Sequence, residues 1–244
     1  MKVLVFDIWG DYAHFRKFYT TTSPLSFSFP PPPTLAGILG AIYGTAKETN
    51  QYLKIFGSDD SFLALRILNP VKKVRMGINL IDTKKAWFPR VRTQIRTEFV
   101  KSPRYRVYFS HRDEQVYADV LNLIREHRTV YTIALGLSEL LADFAFQGEY
   151  QAQPVSTTEP EEIVTPITEQ NLLPDGLVIE TGKKYVKEKI PILMNTNREV
   201  TQYENVIFEA DGKPLRAAVN NHYRLENGER ITCFWTLFSS RNTT

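Results

Sequence analysis

The chain has 244 residues, of which 43% are hydrophobic and 23% are charged, a composition that excludes a largely disordered protein. Thirty Lys and Arg residues against 27 Asp and Glu residues leave a net charge of only +3, so the total charge identifies no partner. The single cysteine, Cys233, excludes an internal disulfide and a multi-cysteine zinc site. Without a secretory core or a long apolar run, we expect a soluble, cytoplasmic protein with no membrane partner and no cofactor.

Two extended segments are predicted before residue 34. The apolar run Val3 to Ile8 is typical of a buried strand that ends at the following Trp-Gly-Asp sequence. Further along, Leu25, Phe27 and Phe29 alternate with serines, which places three large side chains on one face of an extended segment. Four consecutive prolines end this second segment.

A glycine-rich helix is predicted next. Thr34 can act as its N-cap, and the helix would run from Leu35 to about Lys47. Gly37 and Gly40 fall on one side, although a glycine inside a helix costs roughly 1 kcal/mol more than an alanine. Close packing against a sheet is one explanation, and the close approach of a nucleic-acid backbone is the functional alternative.

The pattern from residue 63 to residue 137 predicts three strands and a second helix. The strands are 63–67, 105–109 and 131–137, and Asp113 is the N-cap of a helix that keeps the 3.6-residue period. Without the short segment before the prolines, the order is βαββαβ, which predicts an α+β, ferredoxin-like (RRM-like) domain. RNA-recognition modules share this architecture, but their aromatic signature is missing here and the fold alone decides no function.

Three regions follow from this pattern. Residues 1–150 would form the ferredoxin-like domain, with an insertion at about 70–104. Residues 151–172 are acidic and contain prolines, as is typical of a linker. Residues 173–244 should form a smaller, mostly β part, in which Asp211-Gly212 and Asn227-Gly228 predict hairpin turns.

Positive charge is concentrated in one segment. From residue 66 to residue 106, twelve cations accompany two carboxylates, a net charge of +10, whereas the other 203 residues hold 18 cations and 25 anions, a net charge of −7. Solubility would need only mixed charges, so this asymmetry predicts a polyanionic partner. Aromatic residues interleaved with the cations favour single-stranded RNA or DNA. They are Trp87, Phe88, Phe99 and Tyr105; the cations are Arg66, Lys72, Lys73, Arg75, Lys84, Lys85, Arg90, Arg92, Arg96, Lys101, Arg104 and Arg106.

The spacing within this segment indicates a β-hairpin. Arg90, Arg92, Gln94 and Arg96 alternate and would share one face of an extended arm. The alternative is a solvated hairpin whose charges pair with the acidic remainder of the chain or with a partner protein.

Catalytic motifs are sparse. The four histidines have no metal-ligand spacing, and the helical glycines lack the lysine of a phosphate loop. Metal-free RNA cleavage needs only a base, an acid and a cation, for which His14, Tyr43 and His111 are candidates. A metal-independent endoribonuclease therefore stands as the alternative to a non-catalytic nucleic-acid-binding protein.

Several stretches of the first 150 residues stand out together. They are FDIWGDYAHFR at 6–16, SPLSFSFP at 23–30, LAGILGAIYG at 35–44, and the shorter segments 92–99, 102–106 and 135–139. This combination resembles the CRISPR-associated Cas-five family, most closely its type I-B members, and the resemblance covers most of residues 1–150.

The resemblance implies a RAMP-superfamily subunit of type I Cascade that caps the 5′ handle of the crRNA. Its partners would be the Cascade backbone subunit and the large subunit, and target DNA near the PAM end could be a further one. The family architecture is a ferredoxin-like palm with a basic β-hairpin thumb, here the +10 insertion. By position in the family motifs, the residues that would face the handle are Gly10, Tyr12, His14 and Arg16. Gly37 and Gly40 would let the backbone of the handle approach. The full predicted set is Gly10, Tyr12, His14, Arg16, Gly37, Gly40, Arg66, Lys72, Lys73, Arg75, Arg90, Arg92, Arg96, Arg104 and Tyr105.

One subgroup of the family, in type I-C systems, cleaves its own precursor RNA with a tyrosine, a lysine and a histidine, the last two adjacent. This chain has no Lys-His pair; Ser110-His111-Arg112 ends the corresponding strand instead. The resemblance therefore favours RNA binding without catalysis, with a separate endonuclease processing the RNA.

Overall fold

The computed structural model describes residues 1–20, 22–46, 48–57, 60–81 and 92–234. None of the helices in these ranges is long and apolar enough to cross a membrane. The elements are β1 (Lys2–Gly10), β2 (Tyr12–Ala13), α1 (Pro32–Tyr43), α2 (Gln51–Phe56), β3 (Ser61–Ile67), β4 (Lys72–Ile81), β5 (Arg92–Lys101), β6 (Arg104–His111), α3 (Glu114–Arg125), β7 (Ala142–Val155), β8 (Glu161–Ile163), β9 (Ile167–Thr168), β10 (Leu172–Leu177), β11 (Tyr185–Met194), β12 (Val200–Glu209), β13 (Leu215–Val219), β14 (His222–Leu225) and β15 (Arg230–Ile231).

A six-stranded antiparallel sheet forms the centre of this α+β structure. Its strand order is β15-β14-β7-β1-β6-β3. β1 is buried from Val3 to Ile8, and its Leu4 lies opposite Phe109 of β6 and Glu149 of β7. α3 contacts β6 and β7, and α1 contacts α3 and α2. α3 therefore lies against the central sheet, and α1 packs on α3 and also contacts β11.

The predicted helices form, but both ends of α1 are shifted and Thr34 lies inside the helix rather than at its N-cap. Asp113 accepts hydrogen bonds from the amides of Gln115 and Val116 at 2.9 and 3.3 Å, which confirms its role as the N-cap of α3. In contrast, α1 begins at Pro32 rather than after Thr34 and ends at Tyr43. Proline suits the first helical turn because the amide it lacks would have no partner there. Gly44, at φ 94°, ends the helix in the left-handed conformation.

The strand predicted at 131–137 is wrong. This segment forms only an isolated bridge between Ala134 and Leu141, and the strand next to β1 is instead β7. Ile133 and Leu135 are buried, so the alternating pattern reflects side chains that enter the core from an extended loop. Gly136, at φ +106°, interrupts any regular strand there.

The alternating segment before the prolines is likewise not a regular strand. It forms an isolated bridge between Arg16 and Ser26. Phe27 and Phe29 are nevertheless buried, and the ring of Phe29 packs edge-on against Phe208 with 5.2 Å between centroids. The alternation thus reports burial in the core.

Residues 151–172, where a linker is expected, contain regular structure. The end of β7, the strands β8 and β9 and a 3₁₀ turn at Glu169–Asn171 all lie in this segment. Ile163 and Ile167 are fully buried, because β8 pairs with β13 and β9 pairs with β12. Two buried isoleucines hold this otherwise polar segment in place, despite its prolines and acidic residues.

The two hairpin turns predicted near the carboxyl terminus have different outcomes. Asn227-Gly228 joins β14 to β15, which are paired antiparallel as predicted. Asp211-Gly212 instead joins β12 to β13, which belong to different three-stranded sheets, so no hairpin forms there. β14 also pairs with β7, and through it the carboxyl-terminal strands extend the central sheet.

The basic insertion contains an antiparallel hairpin. β4 and β5 pair from Lys72 opposite Lys101 to Ile81 opposite Arg92, and β2 adds a third strand beside β5. The segment 82–91, which holds Lys84, Lys85, Trp87, Phe88 and Arg90, lies outside the described residues.

Candidate nucleic-acid interface

The register of the hairpin separates its charged and apolar side chains. Since successive residues of a strand point to opposite faces, one face carries mostly polar and charged side chains and the other mostly apolar ones. We call the first the basic face, which comprises Lys73, Arg75, Gly77, Asn79, Gln94, Arg96 and Glu98 together with the apolar Ile81 and Val100 at its ends. The second, the apolar face, comprises Val74, Met76, Ile78, Leu80, Ile95, Thr97 and Phe99, with Thr93 at one end and Lys72 and Lys101 at the other. Arg92 lies opposite Ile81 in the ladder, but its side chain is outside the described set.

Glu98 anchors the root of the basic face without neutralising all of it. Its carboxylate lies 3.5 Å from Lys73 Nζ and 3.8 Å from Arg75 Nε, and it accepts a hydrogen bond of 3.3 Å from the amide of Ser26. The side chain of Arg75 is 67% exposed, and Arg96 is exposed as well. One carboxylate therefore serves two cations, and Arg75 and Arg96 face solvent.

The apolar face forms one wall of a groove. The groove has a volume of about 940 Å³ and lies between the hairpin, α1 and the loop 133–140. Three of the predicted RNA-binding residues, His14, Arg16 and Gly37, line it. Leu80 is 48% exposed there, an unusual position for a large aliphatic side chain. The groove thus combines apolar walls with a few polar groups, as small-ligand and base-binding sites do.

His14 is held in one tautomer at the edge of this groove. Its Nδ1 lies 2.7 Å from the carbonyl oxygen of Glu98, which can only accept, so Nδ1 donates and Nε2 carries the lone pair. Burial lowers the pKa of His14; the hydrogen bond to Glu98 opposes this decrease without reversing it, and the positive charge of Arg16 adds to it. The imidazole is therefore neutral at pH 7 and can accept a hydrogen bond.

Gly136 belongs to this site and was missed in the sequence analysis. The amide of His14 donates to the carbonyl oxygen of Leu135 at 2.9 Å, which brings the two segments together. At Gly136 the backbone has φ +106°, and an added Cβ would overlap the carbonyl oxygen of His14. Only glycine fits here. The signal that could have identified Gly136 is the stretch 135–139, which resembles the family motif. Its residues Leu137 and Glu139 also line the groove.

Three predicted RNA-binding residues have packing roles instead. Tyr105 is 1% exposed and its hydroxyl donates to the carbonyl oxygen of Ser28 at 2.9 Å, so its prediction as a stacking residue is wrong. An added Cβ at Gly40 would lie 2.5 Å from Tyr52 Cβ, which explains this glycine by helix packing rather than by RNA. At Gly10 the Cβ would lie 2.8 Å from a backbone oxygen of the loop that follows Gly136.

The arginines of the central sheet are held by carboxylates from distant parts of the chain. Arg104 Nη2 lies 3.2 Å and Arg106 Nε lies 2.8 Å from the buried carboxylate of Asp7. Arg66 Nη1 lies 2.6 Å from Glu229. These two carboxylates neutralise much of the charge of Arg66 and Arg104, which the sequence analysis predicted to bind RNA.

The remaining predicted residues lie at the root of the hairpin. Tyr12 of β2 lies opposite Lys101 of β5, which lies opposite Lys72 of β4, so the three form one row across the sheet. The ring of Tyr12 contacts Phe99 edge-on, with 6.2 Å between centroids. Lys72 is exposed and, by the register of the ladder, adds a cation at the root of the apolar face.

The three candidate catalytic residues are not brought together. His111 has both ring nitrogens engaged: Nδ1 accepts from the amide of Asp113 at 3.0 Å, and Nε2 donates to the carbonyl oxygen of Ile55 at 3.1 Å. Tyr43 and His111 both pack against the ring of Phe56, with 5.7 and 6.3 Å between ring centroids. The ring of His14 instead contacts Phe99 of the hairpin, with 5.7 Å between centroids. Within the described ranges, no cluster of three or more His, Cys, Asp and Glu side chains could hold a metal.

Comparison with known proteins assigns the family. A family model described as CRISPR-associated protein (Cas_Cas5) matches residues 3–134, which span more than half of the chain. The chain belongs to this Cas-five family. The matched region includes the hairpin and the residues 12–16 and 37 of the groove, whereas Gly136 lies just beyond it. No curated protein matches the sequence.

Two solved structures support the same fold for this Cas-five protein. A CRISPR protein from Archaeoglobus fulgidus is 15% identical, with a TM-score of 0.59, and the match covers 94% of this chain and 97% of that one. A chain of a structure described as a CRISPR RNA-guided surveillance complex is 9% identical, with a TM-score of 0.51, and the match covers 87% and 91%. Both matches extend beyond residue 134, so the strands after β7 belong to the shared architecture.

Proposed function

We propose that this Cas-five protein is a non-catalytic, crRNA-binding subunit of a type I CRISPR surveillance complex, most like type I-B, that caps the 5′ handle of the crRNA. The observation that carries the proposal is the hairpin with Arg75 and Arg96 exposed on one face and the His14 groove on the other. The family assignment links this interface to CRISPR RNA rather than to another polyanion.

The two faces of the hairpin suit the two parts of a nucleotide. Phosphates bind the basic face, where the planar guanidinium groups of Arg75 and Arg96 can grip their oxygens. A base enters the groove, where apolar side chains contact its ring and His14 and Arg16 offer hydrogen-bonding groups to its edge. Phosphate contacts alone give affinity without sequence preference, so the groove would supply the recognition of the handle.

The wider architecture fits a RAMP subunit with a ferredoxin-like palm. The strands β7-β1-β6-β3 and the helices α1 and α3 follow the βαββαβ order, and the hairpin emerges between β3 and β6 as a thumb would. The partners we propose are the Cascade backbone subunit and the large subunit, with target DNA near the PAM end as a further candidate.

We assign no catalytic role to the chain. Metal-free cleavage needs an acid and a base at the same phosphate, and both ring nitrogens of His111 are engaged by the backbone. Binding without cleavage is the function that this geometry supports best.

The test uses the full chain and a single-stranded RNA that carries the repeat-derived handle. We expect a stable complex, and the RNA should be intact after long incubation in EDTA. Arg75→Gln combined with Arg96→Gln should weaken the complex, whereas Arg125→Gln combined with Arg128→Gln, at and just after the end of α3, should not. Cleavage in EDTA would establish the endoribonuclease instead. Equal affinities for both double variants would refute the interface.

A further inference from the structure

A second cavity, which is lined by charged side chains, lies at the root of the basic face. It has a volume of about 580 Å³ and is bounded by the segment 17–28, the start of β4 and strand β11. Four lysines line it, namely Lys17, Lys73, Lys187 and Lys189, and we call it the lysine pocket. Two of them come from β11, in the carboxyl-terminal part of the chain, to which the sequence assigned no function.

The carboxylates near the lysine pocket do not neutralise all of its lysines. Glu188 is buried and pairs with Lys17, and it also accepts from the amide of Ser28 at 3.2 Å. Burial alone would lower the pKa of Lys17, but the hydrogen bond and charge of Glu188 outweigh it and raise the pKa above its ordinary value. Lys17 is therefore a structural ion-pair partner.

The other three lysines differ in how open they are to a ligand. Lys73 is only 29% exposed: it donates to the carbonyl oxygen of Ser26 at 2.8 Å and shares Glu98 with Arg75. Lys187 is half exposed and pairs with Glu169. Lys189 is exposed, and its ammonium group lies 5.7 Å from the ring centroid of Tyr203. The four lysines and the neighbouring Arg75 face three carboxylates, those of Glu98, Glu169 and Glu188, so this region has a net charge of +2, which favours an anion.

Exposed aromatic rings adjoin the lysine pocket. Phe18 and Tyr19 are 52% and 59% exposed, although burial of such a side chain is worth roughly 1.5–3 kcal/mol. The ring of Phe18 lies 4.6 Å from Tyr203 and 5.1 Å from Tyr19, between centroids. Tyr19 also lines the pocket, and Lys189 contacts Tyr203, so this aromatic cluster of Phe18, Tyr19 and Tyr203 is continuous with the lysines.

We propose that the lysine pocket and the aromatic cluster form a second nucleotide-binding site for a single strand that follows the basic face of the hairpin. A phosphate binds between Lys73, Lys187 and Lys189, and an unpaired base stacks on Phe18 or Tyr203. Cations beside exposed aromatic rings are the combination that binds single strands without reading a sequence. The volume lies within the range of small-ligand sites. This inference rests on the proposed function, since the strand must first reach the basic face.

The test measures affinity by fluorescence anisotropy with labelled 12-nucleotide oligouridine and with oligodeoxythymidine of the same length. Phe18→Leu combined with Tyr203→Leu keeps apolar side chains but removes the rings. We expect binding to weaken about 5- to 150-fold, the range for the loss of one stacked base. Tyr131→Leu is the matched control, because Tyr131 is similarly exposed at 51% but belongs to neither site, and it should bind as the wild type does.

A second variant tests the phosphate contacts without touching the rings. Lys187→Gln combined with Lys189→Gln should reduce the salt slope, the dependence of log K on log[salt], by about 1.4, or 0.7 for each contact to a single strand. Lys184→Gln, which removes an exposed lysine just before β11, should leave the slope unchanged. Loss of affinity for both probes supports a site for phosphate and base, and loss for RNA alone shows that the site also reads the ribose.

The outcomes separate this inference from the proposed function. If Arg75→Gln with Arg96→Gln weakens binding but the aromatic variant binds as the wild type does, the second site is refuted and the hairpin interface stands. If the wild type binds neither probe nor handle RNA, the proposed function fails. If the aromatic variant keeps full affinity but no longer assembles with the other subunits, the cluster is a protein-binding surface and the inference is overturned.

Discussion

The salt dependence of RNA binding tests the basic face most directly. Arg75 and Arg96 are exposed on that face, so we take each to neutralise one phosphate. Each phosphate contact to a single strand contributes about 0.7 to the slope of log K against log[salt]. Replacing both arginines with glutamine should therefore lower the slope by about 1.4 and weaken binding about 25-fold at 0.1 M salt.

The assay is the titration of labelled handle RNA with the full chain at four or more salt concentrations. Arg125→Gln with Arg128→Gln removes the same formal charge from the end of α3, where both arginines pair with carboxylates at the surface. This control separates local contacts from a general loss of positive charge. Equal slopes for the two double variants would show that RNA does not contact the basic face, and the reasoning from the hairpin register would then be wrong.

Three further predictions concern a glycine of the groove, the N-cap of α3 and the protonation of His14. Gly136→Ala should abolish handle binding, because its Cβ would overlap a backbone oxygen and displace His14; the measurement is affinity together with circular dichroism. Asp113→Ala removes two capping hydrogen bonds and should cost about 1 kcal/mol, a fall in Tm of roughly 2–4 °C. The free energy of unfolding should decrease as the pH falls from 7 to 5, since burial lowers the pKa of His14 and the unfolded chain therefore binds the proton first; His14→Gln should reduce this decrease in denaturant titrations.

Local sequence patterns predicted the elements whose signals lie within the element itself or at its ends. The N-cap at Asp113 and the 3.6-residue period predicted α3. The alternating arginines predicted an extended arm, which the structure shows as β5 of the hairpin. The loop at 131–137 misled the prediction because Ile133 and Leu135 are as well buried as strand residues. Burial periodicity reports which side chains enter the core, not whether the backbone pairs with a neighbour.

Contacts between distant residues could not be predicted from the sequence. Arg104 and Asp7 are 97 residues apart, and Arg66 and Glu229 are 163 apart, so no local pattern reveals that they pair. The same limit applies to Gly40, whose neighbour Tyr52 lies on another helix. The sequence therefore identified the charged segment but overestimated how much of its charge is available to RNA.

The distribution of side chains on the hairpin favours a single strand over a duplex. In a duplex the bases are paired inside and only phosphates and groove edges are presented, so the groove beside His14 would remain empty. A single strand can place phosphates against the basic face while its bases turn toward the apolar groove. We therefore expect handle RNA annealed to its complement to keep the salt-dependent part of the affinity and to lose the part contributed by the groove. If His14→Ala weakened the binding of single-stranded and annealed RNA equally, the groove would not be a base-binding site.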